Sequence, residues 1–197
     1  MRPTSALTKL SPLLKAPSFT SADALARGVT ASTLIYYANQ GAIQRIGRGI
    51  YRGLDSPTVD LRWADLIEAV QRTHGGVVCL TSALALYELT DEIPRKYWIA
   101  IHNTTTHRGS KHTRIMRLRN MTLGASKIKL GEIEISIFDR ERTIIDSFRH
   151  LSREVAIKAL KSALATRGVN RVDTKKLTAY GKKLRFDIEP YILALTT

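Results

Sequence analysis

The chain has 197 residues, with 31 Lys and Arg against 17 Asp and Glu, a formal net charge of +14 and 44% hydrophobic residues. That length holds one large or two small domains, and the apolar content excludes wholesale disorder. The longest apolar runs, such as Gly76–Leu80 and Ala83–Tyr87, fall far short of the ~18 residues of a membrane-spanning helix.

In chain order, Ser5–Leu14 places Leu7, Leu10 and Leu14 on one helical stripe. Thr20 then starts a second helix as its cap, with Asp23 near the positive end of the helix dipole, and Gly28 ends it. Thr30-Ala31-Ser32-Thr33 opens a third helix that runs to Gln40 and is closed by Gly41. Two short β-prone segments, Ala42–Ile46 and Ile50–Arg52, flank Gly47-Arg48-Gly49 and predict a hairpin. Helix, helix, turn, helix and hairpin in this order make a winged helix-turn-helix. The bland alternative is a small helical domain with an appended hairpin. A turn-rich cluster at Leu54–Pro57 sets the expected boundary between domains 1–56 and 57–197.

In the second domain, Val59–Thr73 is predicted helical, with Trp63, Leu66, Ile67 and Val70 on one face. Val77–Leu80 is a candidate strand, and Thr81-Ser82 opens a helix carrying Leu84, Leu86, Tyr87 and Leu89. Tyr97–Ile101 and Arg114–Leu118 look like strands joined by a polar, basic loop. Ile128–Phe138 reads as two further strands, because Ile133, Ile135 and Ile137 alternate with Glu134 and Ser136. Helices follow at Arg140–His150, Glu154–Arg167 and Asp173–Arg185, with a short one near Pro190. The expected class is α+β: an N-terminal winged helix-turn-helix, then a small α+β C-terminal domain with a mixed sheet and C-terminal helices.

The charge surplus exceeds the roughly 2–8 units that solubility asks of a small domain, and it points to a phosphate-bearing polyanion. Ile93–Gly131 sharpens this, since it holds nine Lys and Arg, three His and no Asp or Glu. The most informative element is the third helix. At 100° per residue Ala31, Leu34, Ile35 and Ala38 cluster on one side, and Ser32, Thr33, Tyr36, Asn39 and Gln40 on the other. Base edges carry both donors and acceptors, so an uncharged helix face of mixed donors and acceptors suits them. Asn and Gln pair with adenine, Ser and Thr bond either partner, and Tyr reaches a phosphate or a thymine methyl. An ordinary solvated helix face is the competing reading. Arg45, Arg48 and Arg52 surround the hairpin, with Arg48 free at its tip to enter a minor groove or meet a phosphate. Lys175, Lys176, Lys182 and Lys183 form one face of the Asp173–Arg185 helix, opposite the apolar Leu177, Tyr180 and Leu184; this is either an ordinary solvated charged face or a second surface for a polyanion or a partner protein.

Asp139-Arg-Glu-Arg-Thr-Ile-Ile-Asp146 admits two readings. Asp139, Glu141, Asp146 and Glu132 around a divalent ion would serve phosphodiester chemistry. The structural reading puts Asp139 or Glu141 at a helix N-terminus and pairs Arg142 with Asp146 at i, i+4. Spacing favours the second. His102, His107 and His112 lie in or beside the basic loop, where electrostatics rather than metal binding is expected. Cys79, the lone cysteine, is a small buried hydrophobe and excludes a disulfide framework or a Cys-rich zinc module. No phosphate-loop motif is present, and no cofactor is implied. Met1–Leu14 contains no continuous apolar stretch of the secretory kind, so a soluble, cytoplasmic protein is expected.

Three successive motifs, FTSADALARGVTASTLIYYANQGAIQRIGRGIYR, VVCLTSALALYEL and IFDRERTIIDSF, span most of the chain. In this order the chain resembles the AbiEi antitoxins of type IV toxin–antitoxin systems. The resemblance implies a non-enzymatic, bifunctional protein. Its winged helix would bind inverted repeats in double-stranded DNA at its own promoter and repress the operon. Its second domain would neutralise a cognate nucleotidyltransferase-like toxin. Ser32, Thr33, Tyr36, Asn39, Gln40, Arg45, Arg48 and Arg52 are the positions to which the DNA-binding role carries over. Two alternatives remain from other classes: a plain winged-helix regulator with a ligand-sensing or dimerising second domain, and a metal-dependent phosphodiester or phosphoryl-transfer enzyme.

Overall fold

The computed structural model describes residues 4–56, 61–92, 94–107, 109, 112–131 and 133–196. They form two compact units, Met1–Arg72 with Lys129–Glu134, and Thr73–Ile128 with Ile135–Thr197.

The first unit opens with helix α1 (Thr4–Leu14), the two-residue strand β1 (Phe19–Thr20), α2 (Ser21–Leu25) and α3 (Ala31–Asn39). The hairpin β2 (Ile43–Gly47) and β3 (Ile50–Gly53) follows. The caps behave as the sequence predicts. Asp23 N–H donates to Thr20 Oγ1 at 3.1 Å while Thr20 N–H donates to Asp23 Oδ2 at 2.8 Å, a reciprocal capping box. Thr30 caps α3, and such a cap is worth about 1 kcal/mol. One core joins these elements, with Leu10, Val29, Leu34, Tyr37, Ile43 and Tyr51 all buried. Strand β1 escapes sequence reading because two residues cannot show alternation. It lies antiparallel to β3, opposite Tyr51 and Ile50, completing a three-stranded sheet of order β1-β3-β2. Phe19 stacks on Tyr51 with ring centroids 6.0 Å apart, which anchors that pairing.

The helix expected over Val59–Thr73 is shorter. A 3₁₀ turn at Leu61–Trp63 leads into α4 (Ala64–Arg72), and Val59 lies outside the described residues. Trp63, Leu66, Ile67 and Ala69 are buried and Val70 is half-buried. Helix α4 groups with the first unit, which therefore extends past residue 56.

The second unit contains β4 (Val77–Val78), α5 (Leu80–Leu86), β5 (Tyr97–His102), β6 (Thr113–Leu118) and most of β7 (Ala125–Leu130) and β8 (Ile133–Phe138), whose adjoining ends, Lys129–Glu134, group with the first. The sheet order is β6-β5-β4-β8-β7. It is mixed as expected, with β4 antiparallel to β5 but parallel to β8, and β5 parallel to β6. Helices α6 (Arg140–His150), α7 (Arg153–Ala165), α8 (Thr174–Leu184) and α9 (Glu189–Thr196) close the chain. Their core buries Leu84, Ile144, Ile145, Phe148, Leu160 and Leu177. The start of α5 departs from expectation. Cys79 occupies the cap position without a side-chain bond, and Ser82 Oγ instead accepts from Trp98 N–H at 2.8 Å. The helix stops at Leu86, so Tyr87 and Leu89 lie beyond it. Among the described residues no helix is long and apolar enough to cross a membrane.

Helix α6 carries the most heavily bonded charge in the second unit. Arg142 is 1% exposed, and its Nε donates to Asp146 Oδ2 at 2.7 Å. Its remaining nitrogens donate to the carbonyls of Leu123 and Asn120 at 3.0 and 3.2 Å, and its guanidinium lies 4.5 Å from the Phe138 ring centroid. A buried charge persists only when its donors are met in this way. Gly124 makes room for it. With φ of +70°, a Cβ there would come within 2.6 Å of Arg142 Cβ.

Candidate nucleic-acid interface

Helix α3 is held at its N-terminus by hydroxyls. Thr30 Oγ1 lies 2.9 Å from both Ser32 Oγ and Thr33 Oγ1, so these side chains brace the first turn. Each hydroxyl keeps further bonding capacity. The helix turns Leu34 and Tyr37 into the core. This phase corrects the expected packing side, since Ile35 is 45% exposed and Ala31 is exposed as well. Tyr37 was the missing signal. A large aromatic at i+3 from Leu34 sets the buried stripe, and Ile35 then falls outside it.

The expected contact face is open. Ser32, Asn39 and Gln40 are exposed, Thr33 is half-buried, and Tyr36 is 50% exposed. Tyr36 meets Tyr37 edge-on with centroids 5.6 Å apart, a contact that restrains the half-exposed ring. Among the described residues no hydrogen bond or ion pair engages the side chains of Tyr36, Asn39, Gln40 or Arg48.

The hairpin packs beside this helix, and Ile43 and Tyr51 share its core. Gly49, at φ +76°, permits the tight turn that carries the exposed Arg48. The three arginines differ. Arg52 Nε donates to Gln44 Oε1 at 2.7 Å, directly across the pair β2–β3, and Arg45 Nε donates to the Gly47 carbonyl at 3.3 Å. Both also line a cavity of about 380 Å³ that Asp65 and Glu68 share, so acidic groups offset part of their field. Arg48 has no such neighbour among those groups. The positive charge offered by the hairpin is concentrated at its tip.

The second basic surface is smaller than its sequence suggests. Lys175, Lys182 and Lys183 are exposed on α8, but Lys176 Nζ lies 3.0 Å from Asp139 Oδ2 and 2.9 Å from Glu141 Oε2. Burial opposes the charge on Lys176, but hydrogen bonds to Glu141 and Asp139 outweigh it and hold the ammonium above the usual lysine range. Lys176 is thus a clamp on α6, and three lysines remain for an outside partner. The apolar side behaves as expected, with Leu177 buried and Tyr180 and Leu184 packed against the helical core.

The carboxylates considered for metal chemistry have structural partners. Asp139 caps α6 by accepting from Arg142 N–H at 2.8 Å, and accepts from the Tyr180 hydroxyl at 3.1 Å. Glu141 accepts from Asp173 N–H at 3.0 Å, and Asp146 binds both Arg142 and Arg149. Glu132 lies outside the described residues. Among the described residues no three His, Cys, Asp or Glu side chains are grouped to hold a metal ion. His102 is bonded to Thr104, with Nδ1 and Oγ1 2.7 Å apart.

A capped helix pair with an outward polar second helix, followed by an antiparallel hairpin tipped with arginine, defines a winged helix-turn-helix. Residues 15–52 match the model of the AbiEi antitoxin family, described as transcriptional regulators. The matched segment takes in β1, α2, α3 and the hairpin as far as Arg52, and it is this N-terminal segment that is similar to the AbiEi-type regulator domain. No curated protein matches the chain.

Proposed function

We propose that this chain is a sequence-specific DNA-binding antitoxin that represses its own toxin–antitoxin operon and neutralises a cognate nucleotidyltransferase-like toxin. Residues 1–56 hold the DNA-binding elements, and the antitoxin function falls to residues 57–197, of which α4 groups with the first unit. The observation that supports the DNA-binding part is the largely exposed polar face of α3, on which the side chains of Tyr36, Asn39 and Gln40 make no hydrogen bond among the described residues, beside the Arg48 tip, which has no ion pair among them. Asn39 and Gln40 read base edges in the major groove, and Ser32, Thr33 and Tyr36 position the helix on the backbone. Ile35 adds an apolar group to this face, suited to a thymine methyl. Arg48 reaches the adjoining minor groove or its phosphates, while Arg45 and Arg52 support the hairpin from its base.

The direct test is binding of the purified chain to a duplex from its own promoter and to a scrambled duplex of equal length. Preference for the promoter of at least ~10³-fold at physiological salt is expected, and equal affinity would overturn the reading. The toxin assignment rests on the family match and is tested separately. Co-expression with the neighbouring gene should restore growth that the neighbour alone arrests. Growth that stays arrested removes the antitoxin role and leaves a plain regulator.

A further inference from the structure

The acid-free stretch of the second unit folds in part around a concavity of about 590 Å³. Arg95, Lys96, Trp98 and Arg114 line it, with Thr81 on one wall and Glu92 the single acid. Trp98 and Arg114 stand opposite each other in the parallel pair β5–β6, and the Arg114 guanidinium lies 4.7 Å from the Trp98 ring centroid. The Trp98 main chain is itself fixed. Its N–H donates to Ser82 Oγ at 2.8 Å, and its carbonyl accepts from Cys79 N–H at 3.1 Å. This cation–π contact restrains the Arg114 side chain, which lowers the ordering cost of an anion contact.

Among the described residues none of Arg95, Lys96 and Arg114 is joined to a carboxylate by an ion pair. Gathering three unpaired cations around one cavity is unfavourable until an anion enters it. The volume lies within the roughly 300–1,000 Å³ of small-ligand sites, far more than a single phosphate group fills. A planar ring against the Trp98 wall would occupy the remainder.

We propose that this concavity is a binding site for a nucleoside di- or triphosphate, with Arg95, Lys96 and Arg114 holding the phosphates. The site uses none of the residues of the proposed DNA-binding face, and the two proposals stand or fall independently. Glu92 at the rim opposes the anion and limits the affinity.

The test is isothermal titration of the full chain with ATP, GTP, CTP, UTP and pyrophosphate at fixed ionic strength. Saturable binding of one nucleotide per chain is expected, tighter than pyrophosphate. The exposed pair Arg95→Gln with Lys96→Gln should weaken it about tenfold or more, and Arg114→Lys, which keeps charge but loses the fork, by about three- to tenfold. Glu92→Gln should tighten it about two- to threefold. Arg48→Ala should leave it unchanged. Thermal melts of each variant confirm that the fold persists. The proposal is overturned by absence of saturation at millimolar nucleotide, or by equal affinity in the double variant. It is equally overturned if the double variant loses only affinity for random duplex, which makes this surface a backbone contact.

Discussion

Helix α6 and helix α3 use polar side chains in opposite ways. In α6 each charge near the core is answered at short range: Arg142 by Asp146 and two carbonyls, Asp139 by a backbone N–H, Tyr180 and Lys176, and Asp146 by two arginines. On α3 and the hairpin tip, the side chains of Tyr36, Asn39, Gln40 and Arg48 reach solvent with no hydrogen bond or ion pair among the described residues. The first arrangement fixes the fold, because a buried charge without its bonds is costly. The second adds little to stability and leaves bonding capacity for something outside. Net charge alone does not distinguish them.

The largest expected effect tests the first half of this contrast. Arg142→Ala strands a buried Asp146 and should lower stability by about 3–5 kcal/mol in urea melts. A loss below about 1 kcal/mol would place α6 among ordinary surface pairs. On α3, Asn39→Ala should remove about 1–3 kcal/mol of discrimination between promoter and mismatched duplexes, measured by competition binding, with the melting temperature unchanged. Arg48→Ala should weaken binding to all duplexes alike and lower the slope of log K against log salt by about 0.9. An altered slope from Lys176→Met would blur the comparison, since Lys176 belongs to the interior set.

The smallest effect is a pH dependence. Burial, aided by the Asp139 charge, pushes the Tyr87 hydroxyl up to about 12, and that hydroxyl donates to the Phe138 carbonyl at 3.0 Å. The unfolded chain ionises this tyrosine near pH ~10. Its contribution to stability is therefore complete below pH ~10 and is lost as pH rises through the folded value. Absorbance titration should show late ionisation of Tyr87 and Tyr180, both of which burial shifts upward, and Tyr87→Phe should diminish this late component without abolishing it.

Much of this was legible in the sequence because local chemistry decides it. Thr20, Asp23 and Thr30 mark helix starts that need only neighbours three residues away. The Arg142–Asp146 pair follows from i, i+4 spacing. What stayed hidden depends on distant residues. Strand β1 exists because β3 offers it an edge, and Ser82 abandons capping because Trp98 N–H needs an acceptor. Lys176 looked like part of a basic stripe, but Asp139 and Glu141 lie more than thirty positions away. On α3 the pattern gave the polar face correctly and misplaced Ile35, because Tyr37 and not the aliphatic count sets the helix phase.

The only thiol of the chain has a practical consequence. Cys79 is sealed within the sheet core, and burial raises its pKa, so the native molecule presents almost no thiolate to an alkylating dye. Arg48→Cys would therefore create a single reactive position without removal of the natural one. A fluorophore attached there would report the approach of the hairpin to a duplex in real time. The same reagent reaching Cys79 would time the opening of the second unit.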